Sequence, residues 1–365
     1  MMKRVFVSDV HMSAGWSLNG GQGRYDWLDA EEAANFAQFL TSLNNDASIQ
    51  EVILLGDIMD DWVCPIDVQP PGYLQIVTAA HTSPVVDNLR TLAQNKKVVY
   101  VQGNHDMTIT DDKFRAFRKD IFPGVIFQHS YETADGIFAQ HGHQYTLYNA
   151  GDPRNELPLG HYISRLAATV EARRQMRCRQ SNVIATLFPP GEQAVSTQPA
   201  SGGPFVNLPL SHLARQLDGV DDASLITAID GNRITLGEVR EMYRQLSDDW
   251  AKRHGAFDVL SSVWREAAGF WGLAQQLAVE KNKKVIILGH THSRENCHLG
   301  TPDAITGEML DPYAVYANCG SWCNHTDPHP KPYTYVVTEY DEGEDKHTVS
   351  LMYWKKEQGP EVKVI

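Results

Sequence analysis

Five short strings in this chain place metal-ligating or proton-moving residues directly after apolar, β-rich runs. They are Asp9-Val-His11 after Lys3 to Ser8, Gly56-Asp57 after Glu51 to Leu55, Gly103-Asn104-His105-Asp106 after Lys97 to Gln102, His141-Gly142-His143 after Gly136 to Gln140, and Gly289-His290-Thr-His292 after Lys284 to Leu288. Carboxylates and imidazoles ligate hard and borderline cations, and imidazole exchanges protons near neutral pH. Asp9 and His11 are two apart, so on an extended segment they face the same side. In the third string a glycine permits a tight turn, Asn104 offers a neutral oxygen, His105 an acid or base, and Asp106 a carboxylate to orient it. Singly, each string has a plain reading: Asp57 as a turn former or helix N-cap, Asp9-x-His11 as a solvated loop, the histidines as loop or core residues. Five strand ends in series, all ending in ligand types, displace those readings.

The elements that must position these residues follow from periodicity. Open α/β sheets keep their sites at the carboxyl edge of the strands, where all five strings fall. Ala33, Ala34, Ala37 and Leu40 give Ala30 to Leu43 a helical spacing, making a βαβ beginning with the strand that ends at Asp57. Tyr73 to Ala93 is helical in pattern, with Pro84 kinking or dividing it. Gly15 to Trp27 and Cys64 to Gly72 read as loops, and Asp60 and Asp61 lie close enough to Asp57 to serve as outer hydrogen-bond partners. From 146 to about 283 the chain is much longer than a strand connection requires. Helices are expected over His161 to Arg177 (Ile163, Leu166 and Val170 on one stripe), Leu208 to Leu217, Ser224 to Ile229, Leu236 to Leu246 and, as one long element, Val259 to Val279. Pro189 to Pro204 reads as a loop.

Composition limits the function. The 365 residues carry a formal net charge of -13 and are 42% hydrophobic, which allows a sizeable core and disfavours general binding to nucleic acid or to an anionic membrane. Charge appears by residue 9 at the start, with no signal-peptide core and no run long enough to span a bilayer, so a cytoplasmic protein without stable membrane insertion is expected. Five scattered cysteines fit reduced thiols, and Cys319 and Cys323 lack the CxxC spacing of a structural zinc site. Arg154, Arg165, Arg173, Arg174, Arg177 and Arg179 form a local basic excess. They read either as grips for a second phosphate, with Arg173 and Arg177 foremost, or as complements to a helix carboxyl end.

In their order along the chain, the five strings closely resemble the motifs of the calcineurin-like metallophosphoesterase superfamily. The resemblance covers residues 1 to 145 and roughly 284 to 354, and Asn318-Cys-Gly-Ser321 is similar to a turn that often follows its last metal motif. It implies a four-layer α/β/β/α sandwich, formed by 1–145 and 284–365, with 146–283 as an inserted, mainly helical cap. It also implies two divalent transition metal ions (manganese, iron, zinc or cobalt), one held by Asp9, His11, Asp57 and His292 and the other by Asp57, Asn104, His141 and His290. His105 would act on the leaving oxygen and Asp106 would orient it. Two cations about 3.5 to 4 Å apart hold phosphoryl oxygens and generate a hydroxide near neutral pH. The expected function is thus hydrolysis of a phosphate mono- or diester in a small or medium anionic molecule. Alternatives are a nucleotide-sugar or lipid pyrophosphohydrolase similar to the UDP-2,3-diacylglucosamine hydrolases, a nuclease, or a catalytically silent scaffold. The first differs in usually carrying Gly-Asn-Arg-Asp where this chain has Gly103-Asn104-His105-Asp106.

Overall fold

Successive side chains on the central strands go to different cores, and this alternation builds the layers. The structure is a computed structural model that describes residues 1–18, 25–151, 157–173, 203–299, 314–323, 333–355 and 359–363. The first sheet has seven strands in the order β14-β13-β12-β1-β2-β3-β4: Gly359–Lys363, Lys346–Lys355, Thr334–Asp341, Met2–Val7, Ile49–Leu55, Lys97–Val101 and Ile126–Gln128. The second has five in the order β10-β11-β9-β6-β5: Arg294–His298, Val315–Cys319, Val285–Leu288, Ile137–Ala139 and Tyr131–Glu132. Val5, Val7, Val52, Leu54, Val98 and Tyr100 pack outward against helices α1 (Ala30–Asn45) and α3 (Ser83–Asn95). Phe6, Ile53, Leu55, Val99 and Val101 instead meet Ile137, Ala139, Val285, Ile287, Val315 and Ala317 of the second sheet. Phe138, Ile286, Leu288 and Tyr316 cover the far face with Leu273, Ala274 and Leu277 of α10 (Trp271–Lys281). Helix, sheet, sheet and helix are thus stacked in the expected order.

β1, β2 and β3 are mutually parallel, as are β6 and β9, so their carboxyl ends gather at one edge. The helical stretch around Pro84 is divided, α2 spanning Tyr73–Thr78 and α3 carrying Pro84 in its first turn. Cys64, Cys297, Cys319 and Cys323 are free thiols, and Cys178 lies outside the described residues. No helix among the described residues is long and apolar enough to cross a membrane.

A separate apolar cluster joins α5 (Leu159–Arg173), α6 (Gly203–Ala214), α7 (Leu236–Met242), α8 (Leu246–His254) and the first turn of α9 (Ala256–Ala268), with Ile66 from the loop after β2. Ile163, Leu166 and Val170 point into it, as their stripe requires. Two expectations fail here. Ser224 to Ile229 is not a helix: Leu225–Thr227 (β7) pairs with Arg233–Thr235 (β8) across a turn at Asp230-Gly231, and the β-branched residues flanking that turn favour a hairpin. Val259 to Val279 is not one helix, since Gly269 has a φ of +88°, which ends α9 and swings Phe270 into the core before α10 begins.

Arg165 is fully buried and grips carbonyl oxygens. Its guanidinium donates to Cys64 O, Pro65 O and Thr227 O at 2.7 Å each and to Val68 O. Its place in the arginine-rich stretch therefore reflects a structural brace rather than an anion grip. Arg165→Met orphans these acceptors, and each buried unpaired group costs about 1–3 kcal/mol. The variant should lose roughly 3–5 kcal/mol in urea unfolding, part of the loss being offset by local hydration. An unchanged midpoint would show the brace to be dispensable.

Candidate metal centre

Each candidate ligand sits just past a strand: Asp9 and His11 after β1, Asp57 after β2, Asn104 after β3, His141 after β6, and His290 and His292 after β9. His292 Nε2 stands 3.3 Å from both Asp9 Oδ1 and His11 Nε2. His11 Nε2 is 3.9 Å from Asp9 Oδ1 and from Asp57 Oδ2. On the other side, His141 Nε2 is 3.1 Å from that same Asp57 oxygen and 3.2 Å from Asn104 Oδ1. Possible ligand atoms cluster within 4.8 Å of one another in three trios: Asp9, His11 and His292; Asp57, His141 and His290; and His11, Asp57 and His105. Asp57 takes part in two of them. Imidazole nitrogens and carboxylate oxygens here converge on common points instead of pairing off singly. That donor set suits borderline divalent cations.

Backbone strain is concentrated at the same residues. Asp9, His11, Asp57, His290 and His292 all have φ between +52° and +68°, a region that side chains other than glycine rarely enter. Gly103 allows the turn of β3 to approach: a Cβ there would lie 2.1 Å from Asp57 Oδ1. That oxygen accepts a hydrogen bond from His105 N at 2.8 Å.

A further ring of contacts surrounds the candidate ligands. Asp60 Oδ2 is 3.1 Å from His11 Nδ1, and its Oδ1 is 3.0 Å from His105 Nδ1 while accepting from the backbone N–H groups of Trp62 and Val63. His141 Nδ1 meets Leu55 O at 2.8 Å. Asn318 Nδ2 donates to Gly289 O at 3.0 Å and to Thr291 Oγ1 at 3.1 Å, pinning the turn that carries His290 and His292. The Asp106 carboxylate does not hold His105 as expected. It accepts instead from Tyr100 Oη and from the backbone N–H groups of Gly103, Ile58 and Met59, tying two strand-end turns together. Asp60 is the carboxylate that faces His105 Nδ1, because the tight turn aims neighbouring side chains apart.

Burial and the facing charges oppose one another throughout. Burial lowers the His105 pKa, but the Asp60 and Asp57 carboxylates outweigh it and push it up to about 9. His141 is likewise held up to about 9 against burial, by Asp57 and Asp9. Burial raises Asp57, yet His141, His105 and His11 bring it well below the usual carboxylate range. Asp61 is driven well above that range by burial, then by Asp60 and Asp106. His143 is buried beside His141 and outside the ligand trios, its pKa pushed well down by burial and by His141 and His290.

Several residues at the site carry no motif. Trp27 sets its ring edge against His11, with centroids 4.4 Å apart, and Trp62 lies 4.6 Å from His105. Phe270 stacks on His290 at 6.1 Å, and Thr146 Oγ1 and Asn149 Nδ2 each lie 3.4 Å from His290 Nε2. Tryptophan in a glycine-rich loop is the one trace that sequence offered of Trp27. Arg173 is exposed at the end of α5 and donates to Asp218 O at 3.2 Å, while Arg154, Arg174, Arg177 and Arg179 lie outside the described residues.

The strand-end ligands, the paired sheets and the flanking helices define a metallophosphoesterase fold. Residues 2–167 match the family model of the calcineurin-like phosphoesterases. No curated protein matches the chain. Among solved structures, zinc-complexed Vps29 from Entamoeba histolytica is 12% identical, with 100% of this chain and 98% of that chain covered and a TM-score of 0.36. A predicted phosphoesterase from Streptococcus pneumoniae is 9% identical over 100% and 98% of the two chains, with a TM-score of 0.31. The nuclease MPE of Pseudomonas putida is 21% identical over 39% of this chain and 55% of that one, at 0.24. Likenesses at these scores leave activity to be argued from the site itself.

The raised histidines give a pH signature in metal-stripped protein. Their stabilisation is complete below the ordinary histidine value of 6.5 and is lost as pH rises through about 9. The denaturation midpoint of the stripped protein should therefore fall between pH 6.5 and 9, and Asp60→Asn should flatten part of the fall. A level midpoint across that interval would contradict the charge arrangement.

Proposed function

We propose that this chain is a dinuclear metal-dependent phosphoesterase that hydrolyses a phosphate mono- or diester of a small or medium anionic substrate. The observation that carries the reading is the Asp57 carboxylate, whose Oδ2 lies 3.1 Å from His141 Nε2 and 3.9 Å from His11 Nε2 and so faces both ligand sets. Asp9, His11, Asp57 and His292 would hold one ion, and Asp57, Asn104, His141 and His290 the other. Bound there, two divalent cations such as manganese, iron, zinc or cobalt supply Lewis acidity to phosphoryl oxygens and to water.

The chain's own residues then do the rest. His105, kept protonated by Asp60, is placed to donate a proton to the departing oxygen as the P–O bond breaks. Trp27 and Trp62 wall its ring and exclude water around it. In this reading 1–145 and 284–365 form the catalytic body and 146–283 a cap, supported by the separate apolar cluster that the inserted helices share. A nucleotide-sugar or lipid pyrophosphohydrolase is the alternative to this ester-hydrolase reading, and either would be a cytoplasmic enzyme.

Asp57→Ala should remove both ions in metal analysis and abolish turnover, whereas His292→Ala should remove one. His105→Ala should keep both ions and lose roughly 10²- to 10⁴-fold in turnover of an alkyl phosphate, with a smaller loss on p-nitrophenyl phosphate, whose leaving group needs little protonation. Two tightly held ions in Asp57→Ala would sink the shared-carboxylate reading. Equal losses on both esters would remove the proton-donor role.

Arg173 and Arg177 enter the same reading as contacts to a remote anionic part of the substrate. Arg173→Glu combined with Arg177→Glu should raise KM for a nucleotide sugar and leave p-nitrophenyl phosphate hydrolysis nearly unchanged. If both substrates respond alike, the pair belongs to the helix end.

A further inference from the structure

A buried carboxylate from α9 reaches the ligand set of His141 and His290. Glu266 is 8% exposed, and its Oε1 accepts from Asn149 Nδ2 at 2.7 Å. Asn149 Oδ1 in turn accepts from Asn104 Nδ2 at 3.3 Å, and Asn104 Oδ1 stands 3.2 Å from His141 Nε2. Glu266 Oε1 is also 4.0 Å from His290 Nε2. The start of α5 makes room for the Asn149 amide at Gly160, where a Cβ would lie 2.1 Å from Asn149 Oδ1.

A primary amide has a donor end and an acceptor end of nearly equal shape, and its hydrogen-bond partners decide which end faces where. A carboxylate accepts and cannot donate. Glu266 therefore turns the NH₂ of Asn149 toward itself, which leaves the Asn149 oxygen toward Asn104. Asn104 must answer with its own NH₂, and its oxygen is left facing His141. A cation takes the amide oxygen and rejects the NH₂ group.

We propose that Glu266 is a positioning residue of the metal centre, setting two amides in series so that Asn104 presents oxygen to the ion shared with Asp57, His141 and His290. This rests on the two-metal reading above. It makes affinity for one ion depend on how α9 is seated, since the carboxylate at the head of the series belongs to that helix. The ion held by Asp9, His11 and His292 has no member of this series among its partners.

The test is calorimetric titration of the metal-stripped full chain with Mn²⁺. Loss of an outer partner that orients a ligand typically costs about 10- to 100-fold in metal affinity. Glu266→Ala should weaken one of the two binding events by that factor and leave the other, and the melting temperature of the stripped protein, close to wild type. Glu266→Gln, which keeps the volume but can present either end of its own amide, should fall between, and it serves if the alanine variant does not fold. The decisive comparison is made in an Asn104→Asp background. Both ends of that side chain are oxygens, so no orientation remains to be set, and Glu266→Ala should cause no further loss. Equal weakening in both backgrounds, or unchanged binding in the wild-type background, overturns the inference while the two-metal reading stands. A wild-type chain that takes up no second ion removes that reading and this inference with it.

Discussion

Buried negative charge is the constraint on which the remainder of this structure depends. Asp9, Asp57, Asp60 and Asp106 are all at most 2% exposed at one sheet edge, and removing a carboxylate from water costs several kcal/mol unless positive charge or hydrogen bonds compensate. Asp106 is compensated by backbone N–H groups and a tyrosine hydroxyl, and Asp60 by backbone N–H groups and two imidazoles. For Asp9 and Asp57 the nearby compensation comes largely from histidines that must carry a proton to supply it. Protons and divalent cations are thus competing solutions to one electrostatic problem. Folding, pH and metal occupancy are linked through the same few side chains.

The fold supports this charge by rigidity rather than by flexibility. Five candidate ligands hold positive φ values, and such strain, of order 1–3 kcal/mol per residue, persists where the surroundings over-determine it. The surroundings here are strands buried on both faces, with the inter-sheet core on one side and helices on the other. A strand so clamped ends abruptly, and its terminal carboxylate or imidazole is delivered without freedom to turn to solvent. The ligand atoms therefore stand close together before any ion is considered.

Much of this was legible in the sequence, and the limits have physical causes. The strand-end residues announced themselves because apolar runs of β-rich composition stop at a ligand type five times over, and the core alternation then assigns each strand a layer. Asp106 departs from its expected place beside His105 because adjacency along the chain is not contact: the turn directs successive side chains apart, and Asp60, from another strand end, faces His105 instead. The hairpin at 225–235 is hidden in the sequence because its short β-branched run lies between helical stretches, and the break at Gly269 because its flanks keep one apolar stripe in register. Glu266 and Asn149 were beyond reach for a different reason. Their meeting depends on how α9 packs beside the strand ends, which no local spacing encodes.

That docking has a direction that can be read from its contacts. Arg165 and Thr169 of α5 hold the loop that follows β2, the first through the carbonyls of Cys64, Pro65 and Val68 and the second through Ile66 N at 2.9 Å. The same loop carries Asp60, whose carboxylate caps Trp62 and Val63 and faces both His11 and His105. At the other end, Phe270 covers His290, and Gly142 lets the ring approach, since a Cβ there would lie 2.6 Å from it. Helix α5 and Phe270, which follows α9, therefore meet the candidate centre on two sides, through the loop that brings Asp60 to His11 and His105 and through the turn that carries His290. A change in how these helices sit would act on both sides of the centre at once.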